Sequence, residues 1–413
     1  MKLLCLSNGH GEDAIALRIL RALQQQPNCP ELAALPLVGA GHGFAQSGIP
    51  VIGPVKQLPS GGFIYMDGKQ FARDLKGGLL PLTRQQLKTV RTWAQQGGAI
   101  LAVGDIVPLL FAWYSGAPYA FVGTAKSDYY LRDEAGLLPR PRWFDRLENW
   151  SGSVYLPWER WLMSRRRCRA VFPRDRITSD TLARWKIPVF DVGNPMMDGL
   201  EPTGVEFPTR WDSLTVALIP GSRAPEVYDN WQQILQAVAG LVETVGRKLV
   251  FLAAIAPSID RDLLHQALTT SGWRAREGNA GEGTVYTLQA SLQGATLLLT
   301  TAFNDCIQTA DVAIAMAGTA TEQFVGLGKP ALLLPGKGPQ FTHTFAEAQT
   351  RLLGLSAILV AQPNQTSPVL QRLLNDPDRL QLIAENGRRR MGAPGASVRI
   401  ASCLIERLGG AAR

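Results

Sequence analysis

The chain has 413 residues, too many for one compact core, so two domains are expected. Hydrophobic residues make up 46%, and 42 Lys and Arg outnumber 34 Asp and Glu, a surplus that calls for a nucleic acid, an anionic lipid or a phosphate-bearing substrate. Five scattered cysteines with no CxxC pair exclude a disulfide framework and a zinc cluster, and suit a reducing cytoplasm.

Residues 2–7 read as a buried strand. Their apolar run is too short for a secretory signal and leads directly into Asn8-Gly9-His10-Gly11. A helix is expected over about 12–26. Residues 32–38, 99–103, 118–122 and 169–172 read as further strands, with a helical pattern at 84–96. The most hydrophobic stretch, 99–123, is interrupted by Asp105, Pro108, Gly116 and Pro118. That predicts two buried strands around a short helix rather than a membrane span. Residues 187–192 are expected to supply the last strand of this half, ended by Gly193-Asn194-Pro195.

The theme then restarts. A strand at 214–219, a Pro-Gly turn and a helix at 226–245 repeat the opening, and 248–254, 296–300, 311–315 and 330–334 supply more strands. Strands alternating with helices imply parallel sheets covered on both faces. The expected fold class is α/β, with two doubly wound Rossmann-like domains facing a central cleft. The domains are an acceptor-side domain over 1–200, a linker over 201–213 and a nucleotide-sugar domain over 214–385. A C-terminal helix over 386–413 would pack back on the first domain. Ligands of such sheets bind at the carboxyl ends of the strands.

Three motifs of the second half carry chemistry. In Pro220-Gly221-Ser222-Arg223-Ala224-Pro225-Glu226 a strand ends in a glycine turn and a helix opens beside an arginine, which suits a diphosphate. The same spacing suits a plain turn capped by Ser222 or Glu226. In Ala317-Gly318-Thr319-Ala320-Thr321-Glu322, hydroxyls and amides could hold phosphate oxygens while Glu322 takes ribose hydroxyls. A capped helix start complementing the dipole explains it equally. The loop 335–343 and the helix after it place Gln340 and Gln349 where they could contact the sugar, and a plain Gly-Pro loop is the alternative.

Pro-Gly-Ser-Arg-x-x-Glu followed by Ala-Gly-Thr-Ala-x-Glu resembles lipid A disaccharide synthase. Gly193-Asn194-Pro195-Met196-Met197-Asp198 is similar to that family's Gly-His-x-x-x-Asp. Its Asn is closer to the Gly-Asn-Pro of the transferase that adds GlcNAc to the peptidoglycan lipid precursor. In the first half the likeness thins to residues 7–13 and to Val103-Gly104-Asp105, one residue shorter than the family's Val-Gly-Ile-Asp. The resemblance implies an inverting, metal-independent GT-B hexosyltransferase. It would move a GlcNAc-type sugar or an acylated glucosamine from a UDP-sugar to a membrane lipid or lipid-linked acceptor, and it allows a homodimer. It requires no cofactor beyond the UDP-sugar substrate.

Inverting transfer needs a base for the acceptor hydroxyl and stabilisation of the leaving diphosphate. Arg223 and the amides near Gly221 and Gly318 suit the second task. For the base Asp105 comes first, then His10 and Asp13, with Asn8, Gly9 and Gly11 forming the acceptor or phosphate loop. Asp105 also reads as a helix cap. His42, His265 and His343 read as structural. Asp376-Pro-Asp378 has the Asp-x-Asp spacing of a metal motif, but it stands where a helix cap is expected.

Residues 139–176 interleave Arg140, Arg142, Arg146, Arg160, Arg165, Arg166, Arg167 and Arg169 with Trp143, Trp150, Trp158, Trp161, Leu162 and Met163. Arg with Trp suits an anionic lipid interface on the inner face of a membrane. A solvated basic face over a Trp-containing core is the alternative. Two other functions compete: a UDP-sugar epimerase of the same fold, and a non-catalytic anionic-lipid binder. No helix-turn-helix, RNP or zinc pattern supports a nucleic-acid partner.

Overall fold

In both halves the strand that opens the sheet lies inside it, because the chain builds outward in one direction and then in the other. The computed structural model describes residues 1–56, 79–138, 150–280, 283–288 and 294–409. The chain divides into two compact units. One comprises Met1–Asp198 with Ala393–Arg413, the other Gly199–Gly392.

The first unit carries β1 (Lys2–Ser7), β2 (Glu31–Pro36), β3 (Ala99–Gly104), β4 (Tyr119–Gly123) and β5 (Cys168–Phe172). All pair in parallel in the order β2-β1-β3-β4-β5. Every residue of β3 and β4 is buried, the unbroken apolar pattern of strands covered on both faces. Described helices are α1 (His10–Gln24), α2 (His42–Gln46), α3 (Leu79–Gln95), α4 (Ile106–Ser115), α5 (Pro157–Met163) and α6 (Arg176–Leu182). On α3, Leu82, Gln86, Val90 and Trp93 fall three or four residues apart and form its buried face.

Residues 187–192 do not form the expected strand. They make one parallel bridge, Val171 to Val189, flanked by hydrogen bonds from Val171 N to Pro188 O and from Phe190 N to Val171 O. Pro188 has no N–H with which to extend a ladder.

The second unit carries β6 (Ser213–Ile219), β7 (Lys248–Ala254), β8 (Trp273–Ala280), β9 (Gly283–Leu288), β10 (Ala295–Thr300), β11 (Val312–Ala315), β12 (Ala331–Leu333) and β13 (Ala357–Leu359). Their order is β8-β9-β10-β7-β6-β11-β12-β13, antiparallel along β8-β9-β10 and parallel elsewhere. Its helices are α7 (Glu226–Thr244), α8 (Arg261–Thr270), α9 (Phe303–Thr309), α10 (Thr319–Gly326), α11 (His343–Leu353), α12 (Thr366–Leu374) and α13 (Pro377–Met391).

The stretch read as a linker forms neither helix nor strand up to residue 212, Ser213 opening β6, yet it is pinned to α9. Asp305 accepts from the amides of Thr203, Gly204 and Val205 at 2.8–3.0 Å and from the Thr203 hydroxyl at 2.6 Å. Asn304 and Gln308 hold the carbonyls of Gly199, Glu201 and Leu200. Residues 386–413 are not a single helix. Residues up to Met391 complete α13, and glycines with positive φ at Gly392 and Gly395 then turn the chain into α14 (Ala396–Gly409). α14 packs on α1, and the Asp198 carboxylate caps its start at Gly395, Ala396 and Ser397 N.

Candidate functional site

Sheet order alone marks one candidate position in each unit. The connections reverse direction between β1 and β3 in the first sheet and between β6 and β11 in the second. At such a reversal the loops after the two strands splay apart and leave a crevice at their carboxyl ends.

In the second unit these loops hold Gly221–Arg223 after β6 and Gly318–Glu322 after β11. Gly221 has φ +103°, and a Cβ there would stand 3.4 Å from the Met316 carbonyl oxygen, so the turn requires glycine. Asn230, one turn into α7, fixes that turn by donating from Nδ2 to Pro220 O at 3.0 Å. Ser222 is exposed and Arg223 half-buried. Thr319 is exposed at the first position of α10, directly after Gly318. Glu322 is buried, and its Oε1 accepts from Gln349 Nε2 at 3.1 Å. Gln349 is 2% exposed, and its own Oε1 has no partner among the described residues. The Phe345 ring closes over Gly318, where a Cβ would stand 3.3 Å from Cζ.

Two residues assigned to the nucleotide have other engagements. The Glu226 carboxylate accepts from Phe341 N at 2.9 Å and Gln340 N at 3.1 Å, so it holds the loop after β12. A Cβ at Gly338 would lie 2.4 Å from Glu226 Cδ, so glycine is required at that position. The buried Thr321 hydroxyl donates back to Ala317 O, just before the start of α10. Gln340 therefore offers an exposed side chain on an anchored backbone. Asn230, Phe341 and Phe345 were not legible as site residues. Only the spacing of Asn230 four residues after Glu226, on one face of α7, hinted at a role.

In the first unit, Asn8 and Asp105 meet across the reversal. Asn8 Nδ2 donates to Asp105 Oδ1 at 2.8 Å, and Val107 N donates to the same oxygen at 2.8 Å, so Asp105 caps α4. Burial pushes the Asp105 carboxyl above its ordinary value, against the opposing pull of Val107, Asn8 and the Lys126 charge. Asp13 receives the Ser7 hydroxyl. Glu12, absent from the sequence-based set, is half-buried, and its Oε1 meets the Thr124 hydroxyl at 3.5 Å. Burial pushes its carboxyl up, as do the negative charges of Asp105 and Asp13. Gly104 has φ +132°, and a Cβ there would stand 2.3 Å from Asn8 Oδ1 and 3.2 Å from Glu12 Cγ. Glycine thus lets the two loops close. Gly9 is buried and Gly11 exposed, and the His10 side chain lies outside the described residues.

The remaining titratable candidates have structural settings. His42 and His343 are exposed at helix starts, and His265 stacks on Tyr286 with ring centroids 5.4 Å apart. Asp376 caps α13 through Arg379 N at 3.0 Å. Among the described residues no group of three or more His, Cys, Asp or Glu is arranged to hold a metal ion.

Of the Arg/Trp segment, Arg140, Arg142, Trp143 and Arg146 lie outside the described residues. Trp158 and Trp161 on α5 are 57% and 44% exposed. Leu162 and Met163, read with them as surface residues, are buried core, and the Leu162 carbonyl accepts from Tyr119 OH at 2.6 Å. The apolar surface instead continues onto α4. Trp161 packs edge-on against Trp113 at 5.5 Å, and Leu110 and Tyr114 are exposed on that helix. Arg165 stacks 4.3 Å from the Trp161 ring, and Arg166, Arg167 and Arg169 are exposed beside it. No described helix is long and apolar enough to cross a membrane.

No family model matches the chain. The lipid-A-disaccharide synthase of Syntrophus aciditrophicus is 25% identical over 233 residues, 51% of this chain and 55% of that protein. The match therefore spans about half the length of this curated relative. Among solved structures, a putative UDP-N-acetylglucosamine 2-epimerase from Listeria monocytogenes superposes with a TM-score of 0.59 at 13% identity, over 99% of this chain and 97% of that one. MurG of Acinetobacter baumannii gives 0.57 at 13%, over 98% and 99%. The UDP-GlcNAc 2-epimerase of Neisseria meningitidis, solved bound to UDP-GlcNAc, gives 0.55 at 14%, over 98% and 100%. The fold is of the GT-B type.

Proposed function

We propose that this protein is an inverting glycosyltransferase. It moves a GlcNAc-type sugar or an acylated glucosamine from a UDP-sugar to a membrane lipid or lipid-linked acceptor. The observation that carries the reading is the reversal point of the second sheet. There the Gly221 turn, the start of α10 at Thr319 and the Glu322–Gln349 pair gather at neighbouring strand ends. Backbone amides at a helix start, with Arg223 nearby, suit a diphosphate, and a buried carboxylate suits ribose hydroxyls. The half-length likeness to a lipid-A-disaccharide synthase supports the transferase class.

In this reading Arg223 and the amides about Gly221 and Gly318 take up the charge that develops on the leaving diphosphate. Residues 7–13 and Asp105 of the first unit receive the acceptor, and neither a cofactor nor a divalent ion is needed. The exposed Trp158 and Trp161, with their arginines, rest on anionic lipid at the cytoplasmic face. The test is comparative mass spectrometry of membrane lipids from cells with and without the gene. A glycolipid that disappears with the gene is expected, and identical lipid profiles would refute the assignment.

A second reading is a UDP-sugar epimerase, because two of the superposed structures carry that name. An epimerase needs no acceptor, and the aromatic surface on α4 and α5 then serves nothing. Incubation with UDP-GlcNAc alone separates the two. Change at the sugar H2 signal by NMR identifies an epimerase, and an unchanged spectrum supports the transferase.

A further inference from the structure

We propose that Glu12 is the general base of this transfer, the group that takes the proton from the acceptor hydroxyl; the inference rests on the transferase reading above. Glu12 is the third residue of α1, at the reversal between β1 and β3 where a ligand crevice is expected. Its Cγ and the Asn8 amide oxygen both lie within 3.2 Å of the point where a Gly104 Cβ would stand, so the glycine brings them together.

The neighbouring acids are engaged in holding the loops. Asp105 Oδ1 already receives the Asn8 amide and the Val107 N–H, and Asp13 receives the Ser7 hydroxyl. Among the described residues the Glu12 carboxylate has looser partners, its own backbone amide and the Thr124 hydroxyl, the latter at the long distance of 3.5 Å from Oε1. A second observation points to a donor-bearing ligand. Asn8 is 5% exposed, and its amide oxygen finds no donor among the described residues. Hydroxyl groups of a sugar are such donors.

The electrostatics suit the role. Burial and the charges of Asp105 and Asp13 raise the proton affinity of Glu12, while its own backbone amide and the Thr124 hydroxyl lower it. Lys126, after β4, acts on Asp105 and is itself held by Glu159 at 2.6 Å. A carboxylate raised toward neutrality is a better base at working pH than an ordinary one. In the step, the acceptor oxygen forms its bond to the anomeric carbon as its proton passes to Glu12. The bond from that carbon to the diphosphate oxygen breaks, its electron pair leaves with UDP, and Glu12 then returns the proton to water.

The experiment measures label transfer from UDP-[14C]GlcNAc into phosphatidylglycerol vesicles carrying the total lipid extract of the producing cells. Glu12→Gln should lower the rate about a hundredfold or more. UDP affinity and melting temperature should hold, and the ascending limb of the wild-type pH profile should disappear. Asp105→Asn and Asp13→Asn should keep that limb. A Glu12→Gln rate within tenfold of wild type, with transfer otherwise intact, overturns the inference and leaves the transferase reading standing. No transfer by the wild-type protein, from UDP-[14C]GlcNAc or from its acylated [14C]glucosamine counterpart, overturns both. Independently of any acceptor, a Glu12 carboxyl that titrates at or below the ordinary glutamate range by 13C NMR overturns the inference alone.

Discussion

Asn8 donates to Asp105 Oδ1 across 2.8 Å and so ties together two loops 97 residues apart in the chain. The same oxygen caps Val107 N, so one carboxylate fixes both the loop after β1 and the start of α4. Asp105→Ala would strand two donors at once, the buried Asn8 amide and the half-buried Val107 N–H. We expect a loss of about 1–3 kcal/mol in urea unfolding, the cost of a lost cap and an unsatisfied polar group. Asp105→Asn keeps an acceptor oxygen and should lose less. Equal stability of Asp105→Ala and wild type would show that the bond does not organise the loops.

Glu12 and Asp105 both hold their protons to higher pH in the folded chain than in the unfolded one. Between the unfolded values, about 4, and the raised folded values, the folded state binds more protons. Stability therefore falls as pH rises through that window, and the contribution is present in full only below it. Glu12→Gln removes one of these titrations and should flatten the decline in the urea midpoint as pH rises above about 4. A variant that follows the wild-type slope would mean that Glu12 is solvated like an ordinary glutamate.

For the second unit, the Glu322–Gln349 pair gives the clearest test of nucleotide binding. Glu322→Ala should weaken UDP binding by about 1–3 kcal/mol, the worth of a hydrogen bond to a charged group. Gln349→Leu should weaken it less, since it removes the partner that orients the carboxylate at 3.1 Å and leaves the carboxylate itself. Calorimetry in EDTA reads both and asks at once whether binding survives without divalent ions. Unaltered affinity in Glu322→Ala would take this residue out of the site.

The alternation of short apolar runs with Gly turns made the parallel strands legible, because a strand buried on both faces has no period to hide. The antiparallel β8–β9 edge was missed: Trp273–Ala280 carries two Arg and a Glu and reads as surface. Glycine-ended strands located the loops at the reversal point of each sheet. What the loops do with each side chain was not legible, because it depends on partners distant in sequence. Glu226 holds residues 340 and 341, and Gln349 holds Glu322. Glu12 escaped notice for the same reason: it matters only once Gly104 and Thr124 are brought beside it.

The surface of α4 and α5 yields the last prediction. Residues 150–172 contain one acidic residue, Glu159, and it is buried against Lys126. Exposed Trp158 and Trp161 therefore stand among arginines with no exposed carboxylate in that stretch to neutralise them. Lifting a lipid acceptor out of a bilayer costs about 0.8 kcal/mol per CH₂, so an enzyme that settles on the membrane avoids most of that cost. Each basic residue near an anionic surface adds about 1 kcal/mol. Trp158→Ser with Trp161→Ser should abolish sedimentation with phosphatidylglycerol vesicles while UDP affinity holds. Arg165, Arg166 and Arg167 changed together to Glu should cut it to the part that the tryptophans supply. Leu162 must be left in place, since it is 4% exposed and its loss would open the core. Salt separates the two contributions. Only the arginine part is screened, with a Debye length of about 8 Å at physiological ionic strength. Binding of the wild type should thus weaken with salt down to a residue set by the tryptophans, and the arginine-reversed variant should show no salt-sensitive part. Unchanged sedimentation of both variants would make this a solvated basic face and direct the search to a soluble acceptor.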